Sequence, residues 1–127
     1  MRASVEEFVP KVKRRLGVEG KFGVSLRISG DSQKTLSESA QARSDLKKFL
    51  DGEGLYVFTI NAFPYGPFKG QRVMERVYEP DWTTNQRVEY TKAIADISVE
   101  ITDADTSPSI QTAPLAFAPN VSDDNYI

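Results

Sequence analysis

The residues best suited to chemistry lie at the ends of two apolar runs and in the loop after the second. The first run, residues 22–29, carries Arg27 near its end, and the second, 55–61, ends in Asn61. Ala62-Phe63-Pro64-Tyr65-Gly66-Pro67-Phe68-Lys69-Gly70 follows, too rich in Pro and Gly for a helix and too apolar for an ordinary solvated loop. Arg27 could grip a phosphate or carboxylate bidentately, or pair with a local carboxylate or point to solvent. The Asn61 amide could orient a substrate hydroxyl or carbonyl, or start an Asx turn. Phe63, Tyr65 and Phe68 could stack on a sugar ring or an aromatic ligand, or bury against the next loop. Lys69 could reach a ligand or stay solvated. With Arg72 and Arg76 it could attract an anion, although Glu75 and Glu79 dilute that field. Gln111 and Thr112, near the end of a third short run, could line the same site or bond nearby backbone.

Composition removes several chemistries. The 127-residue chain has no cysteine and no histidine, so thiolate sites and the commonest general base and metal ligand are excluded. Any metal would need carboxylate or carbonyl oxygens. The acidic residues show no pairing suited to general acid and base, and 66–70 lacks the Lys-Ser/Thr ending of a phosphate-binding loop. A net charge of −2 favours neither nucleic acid nor an anionic membrane. The acidic start, Met1 to Glu7, is no signal peptide, and no apolar run reaches transmembrane length. The expected setting is the cytoplasm.

Several elements must position these residues. Ser4 and Glu7 have capping-box spacing. Phe8, Val9, Val12 and Leu16 then form an apolar stripe; Pro10 predicts a kink or a helix that begins there, and Gly17 a stop. Phe22, Val24, Leu26 and Ile28 alternate with Gly23, Ser25, Arg27 and Ser29, as in a strand. Asp31 or Ser32 could cap a helical region ending near Leu50, weakened around 37–42, with Leu36, Ala40, Leu46, Phe49 and Leu50 as its buried stripe. The second strand is 55–61, where Asn61 has the parity of Leu55, Val57 and Thr59. After a loop over 62–82, Thr83 or Thr84 could cap a helix carrying Tyr90, Ile94, Ile97 and Ile101. Residues 109–113 predict a third strand.

Helix and strand alternate, which implies βαβ units and a parallel sheet with right-handed crossovers. The expected organisation is one α/β domain over 1–117 and a fraying tail over 118–127. Three strands leave two open edges and look like part of a larger α/β domain.

At the loop and its flanks the sequence resembles the EboE family of metabolite-traffic proteins, in the xylose-isomerase-like barrel group. The resemblance covers 22–29, 54–82 with the run Val77-Tyr78-Glu79-Pro80-Asp81-Trp82, 90–97 and 109–117. It implies a partial (β/α)8 barrel in which this chain supplies roughly strands two to four. A whole barrel needs about 250 residues. Family members tend to carry Gly at Ala62, His at Lys69, Ser at Gln111 and Gly at Ala116. The resemblance implies a sugar-isomerase-like protein of metabolite trafficking, with a divalent metal in the full-length family. Its partners would be a small polar or anionic metabolite and other products of the same operon. This chain alone would be inactive, or would be a non-enzymatic module binding a small molecule or a partner protein.

Overall fold

The computed structural model describes residues 2–66 and 76–122. It contains strands β1 (Phe22–Arg27), β2 (Leu55–Asn61) and β3 (Ser109–Gln111). Around them lie helices α1 (Arg2–Arg15), α2 (Gly30–Glu38), α3 (Ala40–Gly52) and α4 (Asn85–Ile101). Short 3-10 turns occur at Arg76–Tyr78 and Ala118–Asn120. The strands form one sheet in the order β1-β2-β3, and both pairings are parallel. The protein is thus a mixed α/β fold built on a small parallel sheet. β3 stops at Gln111, two residues short of the expected strand.

One apolar cluster joins the helices to a single face of the sheet. Val24, Leu26 and Ile28 meet Leu55, Val57, Ile60 and Ala62 there. Leu36 of α2, Leu46 and Leu50 of α3, and Tyr90, Ile94, Ile97 and Ile101 of α4 cover them. The spacing of the α4 set follows the helical period that the sequence shows. Ala40, expected in the stripe of the second helical region, is exposed at the first position of α3.

The break within 30–52 is a cap, not a gap. Ser39 ends α2 in an extended conformation, and its hydroxyl accepts the Ala42 N–H to start α3. Ser29, rather than Asp31 or Ser32, caps α2, accepting the Ser32 N–H at 3.3 Å. The switch follows from β1 running almost directly into the helix, which leaves no room for a longer turn. α4 starts after Thr84, whose hydroxyl donates to the Asp81 carbonyl instead of capping the helix.

α1 departs most from expectation. It runs unbroken from Arg2 through Pro10, so Ser4 lies inside the helix instead of capping it. Pro10 is buried, and burial of its ring offsets the hydrogen bond it cannot donate. Val5 and Val9 pack on the core, but Phe8, Val12 and Leu16 do not: they are 55%, 47% and 64% exposed. The helix stops at Gly17, whose φ of 65° suits a residue without Cβ. Lys13 pins α1 to the turn before β2 by donating to the Glu53 and Gly54 carbonyls.

At the amino ends of the strands, Asp103 accepts from Lys47 at 2.6 Å and from Lys21 at 2.9 Å. This ion network ties the chain before β1 to α3 and to the turn after α4. Among the described residues, no helix is long and apolar enough to cross a membrane.

Candidate functional site

The carboxyl ends of the strands bring three of the expected residues into one row. Arg27 is the register partner of Asn61, and Asn61 is the partner of Gln111. Neighbouring strands lie about 4.8 Å apart, so the three side chains start at that spacing on the sheet face opposite the helices. Ser25, Thr59 and Ser109 form the row below. There the Ser109 hydroxyl donates to Thr59 Oγ1 at 2.8 Å, and Thr59 donates to the Ser109 carbonyl at 3.3 Å.

A β-bulge decides which side chains reach this face. Val24 pairs with Val57, but Ser25 pairs with Thr59, so Phe58 is an extra residue in β2. Sequence parity grouped Thr59 and Asn61 with Leu55 and Val57. The bulge separates them: Leu55 and Val57 face the helices, while Thr59 and Asn61 face away with Ser25 and Arg27. On the same open face the Tyr56 and Phe58 rings close over Gly23. The described side chains of this face thus carry one cation, several hydroxyls and amides, and no carboxylate.

The loop after β2 is held by its backbone. Asn61 Oδ1 accepts the Phe63 N–H at 3.0 Å, an Asx turn. The Ala62 N–H donates to the Gln111 carbonyl at 2.8 Å. Arg87, fully buried on α4, donates to three carbonyls: Ala62 at 2.7 Å, Phe63 at 3.0 Å and Pro80 at 2.6 Å. Its guanidinium also lies 5.3 Å from the Tyr90 ring centroid. Burial lowers the Arg87 pKa, opposed by the nearby Tyr90 hydroxyl and Asp81. The Tyr90 hydroxyl donates to the Ile28 carbonyl, and burial pushes its pKa up to about 12.

Aromatic side chains line the two loop exits. The Phe63 and Tyr78 centroids are 5.8 Å apart, and Tyr78 stacks on Phe117 at 5.9 Å with a 19° tilt. Tyr65 turns elsewhere: it packs edge-on against Tyr90 at 5.1 Å, and its hydroxyl accepts from Gln86 at 3.3 Å. Trp82 Nε1 donates to the Ala113 carbonyl, which ties the loop to the chain leaving β3.

Of the expected site residues, Arg27, Asn61 and Gln111 come together, and Thr112 is exposed one residue beyond Gln111. Phe63 belongs to the aromatic row at the loop exit. Tyr65 is half-buried in loop packing. Lys69, Phe68 and Arg72 lie outside the described residues. Sequence reasoning missed Arg87, Tyr78 and Phe117. Arg87 had a visible signal: it falls on the helical period of Tyr90, Ile94, Ile97 and Ile101, a cation at a core position.

No protein-family model, no curated protein and no solved structure matches this chain. Among the described residues, no group of three or more Asp or Glu side chains is arranged to hold a metal ion. What the arrangement can do is bind. A guanidinium beside two amides offers donors to an anion or a polar group, with aromatic surface at the adjoining loop exits.

Proposed function

We propose that this chain is a segment of an EboE-like, sugar-isomerase-like barrel, and that it binds a small polar or anionic metabolite at the carboxyl ends of its strands. One observation carries the reading. Helices α2, α3 and α4 cover one face of a parallel sheet, and the other face presents Arg27, Asn61 and Gln111 in register. A parallel sheet is ordinarily covered on both faces. In a barrel the second face lines the interior, and ligands sit at the carboxyl ends of the strands. The polar, carboxylate-free character of this face supports an anionic or polyhydroxylated ligand over a cation. The resemblance in 54–82 supports the family, and metabolite trafficking enters on that resemblance alone.

The runner-up is a non-enzymatic module that binds a small molecule or a partner protein. The absence of histidine and cysteine from the whole sequence favours it for this chain in isolation.

Titration with D-xylose and with inorganic phosphate, followed by residue-resolved amide shifts, tests the placement. Shifts gathering on Arg27, Ile28, Asn61, Gln111 and Thr112 are expected. Shifts gathering at Lys21, Gly54 and Thr106, at the opposite strand ends, would overturn it. Isomerase turnover by the isolated chain would overturn the non-catalytic reading.

A further inference from the structure

We propose that the outer flank of α1 is a docking surface for an anionic lipid bilayer, on which the helix lies along the interface without spanning it. Phe8, Val12 and Leu16 form a row spaced four residues apart and largely exposed. Leu16 extends the row past the helix end, because its N–H still donates to the Val12 carbonyl at 3.0 Å. The row is not a rim of the protein's own core, because Val5 and Val9 supply that contact.

Cations stand beside this row on its solvent side. Lys11 and Arg15 each follow a member of it by three residues, which turns them about 60° from it around the helix. The Lys11 ammonium lies 5.7 Å from the Phe8 ring centroid, so its stem already runs along the apolar row. The segment from Lys11 to Arg15 holds four cations and no carboxylate. Lys13 is turned inward onto the Glu53 and Gly54 carbonyls, while Lys11, Arg14 and Arg15 are exposed. Among the described residues, no carboxylate pairs with Arg14 or Arg15. Glu7 lies about 140° around the helix from Val12 and is 3.9 Å from Lys11. α1 as a whole carries five cations against two carboxylates, so the net charge of −2 belongs to the rest of the chain.

This combination selects a lipid surface. Apolar tips enter the acyl boundary while the Lys and Arg stems reach back to the headgroup phosphates. Each cation held near an anionic surface strengthens binding about fivefold. A second copy would bring the same cations against one another, and three side chains bury far less than a protein interface of about 800 Å² per partner. Glu7, and Glu19 in the connection to β1, oppose the attraction. The docking is accordingly weak, reversible and salt-sensitive.

Co-sedimentation of the 127-residue chain with vesicles tests this. Vesicles rich in phosphatidylserine should carry the chain down at low salt, and pure phosphatidylcholine should do so about tenfold less. About 0.5 M NaCl should release it. Arg15→Gln should weaken the partition about fivefold, and Glu7→Gln should strengthen it by a similar factor. Phe8→Ser and Leu16→Ser should each weaken it about tenfold. Val99→Ser, at a 77% exposed site on α4, should leave it unchanged. All these positions are exposed, and circular dichroism would confirm that each variant keeps its helices. The sequence has no cysteine, so a polarity-sensitive fluorophore on Val12→Cys gives a second readout. Its emission should shift to the blue on anionic vesicles, and the same label on Val99→Cys should not shift. Equal pelleting with both lipids, pelleting with neither, a partition untouched by Phe8→Ser, or equal shifts at both labels would each overturn the proposal. Self-association that Phe8→Ser abolishes, without binding to vesicles, would assign the row to a second copy and overturn it as well.

Discussion

Tyr65 occupies the space that a side chain at Gly30 would need. A Cβ on Gly30 would run into the Tyr65 ring, while the Gly30 N–H donates to the Tyr65 carbonyl at 2.8 Å. The loop after β2 is thus seated on the first residue of α2. Gly30→Ala brings two opposed effects. Helix propensity favours Ala by about 1 kcal/mol. Overpacking costs about 1–3 kcal/mol, and the ring is hemmed in by Tyr90, so it cannot swing clear. The expected result is net destabilisation, measured by urea unfolding. Tyr65→Ala in the same chain should remove most of the Gly30→Ala penalty; equal penalties in both backgrounds would refute the contact.

Arg87 holds the other side of the same loop. One planar guanidinium reaches three carbonyls from two separate stretches of chain. A lysine ammonium is a point donor on a flexible stem and cannot span all three. Arg87→Lys should lose about 1–3 kcal/mol of stability, and Arg87→Met about 2–4 kcal/mol, because buried carbonyls are left without donors. Amide shifts should move at Ala62 and Phe63 in both variants. An Arg87→Met chain as stable as the parent would show that the strut is dispensable.

The elements that alternate strongly were legible in the sequence, and those that depend on tertiary partners were not. Val24, Leu26 and Ile28 gave β1 by period two alone, and Tyr90, Ile94, Ile97 and Ile101 gave α4 by period three to four. The parallel order β1-β2-β3 followed from the alternation of elements. The bulge at Phe58 was not legible, because an extra residue in one strand leaves no mark on composition. It nevertheless determines the site. Without it Asn61 would follow Leu55 and Val57 toward the helices, and Arg27 would lack its neighbour. α1 failed for a different reason. Its apolar stripe is real, but only Val5 and Val9 find a partner within the chain, and periodicity cannot say what a stripe packs against. Tyr65 and Phe63 had equivalent claims to a ligand wall; only the glycine at position 30 separates the packed ring from the one at the loop exit.

Alkaline pH should act on the fold through Tyr90. Its hydroxyl is buried and donates to the Ile28 carbonyl, so ionisation both buries a charge and breaks the bond. Burial raises its pKa from 10.0 to about 12 in the folded state. The sign follows from linkage. The folded form keeps the proton more tightly than the unfolded chain, so this contribution is complete below pH 10 and is lost as pH rises toward 12. Stability measured by urea midpoints should fall over that window and fall less steeply in Tyr90→Phe. The variant should also be about 1–2 kcal/mol less stable at neutral pH, because the Ile28 carbonyl loses its donor. Identical alkaline limbs for the two chains would place the transition elsewhere.

Acid should act at the opposite end of the sheet, through Asp103. Hydrogen bonds from Lys47 first and Lys21 second hold its pKa down at about 2, below the ordinary 3.8. Here the folded state gives up the proton more readily than the unfolded chain. The network's contribution is present above about pH 4 and is lost as pH falls through 2. Asp103→Asn keeps the shape and removes the charge, so it should flatten the acid limb of the stability profile between pH 4 and 2. Added salt should weaken the parent's advantage over the variant, because the group is solvent-accessible and its ion pairs are screened. The candidate site lies at the far ends of the strands, so amide shifts at Arg27, Asn61 and Gln111 should stay fixed in Asp103→Asn. Movement of those shifts, or an unchanged acid limb, would contradict the separation of the ion network at the amino ends of the strands from the candidate site at their carboxyl ends.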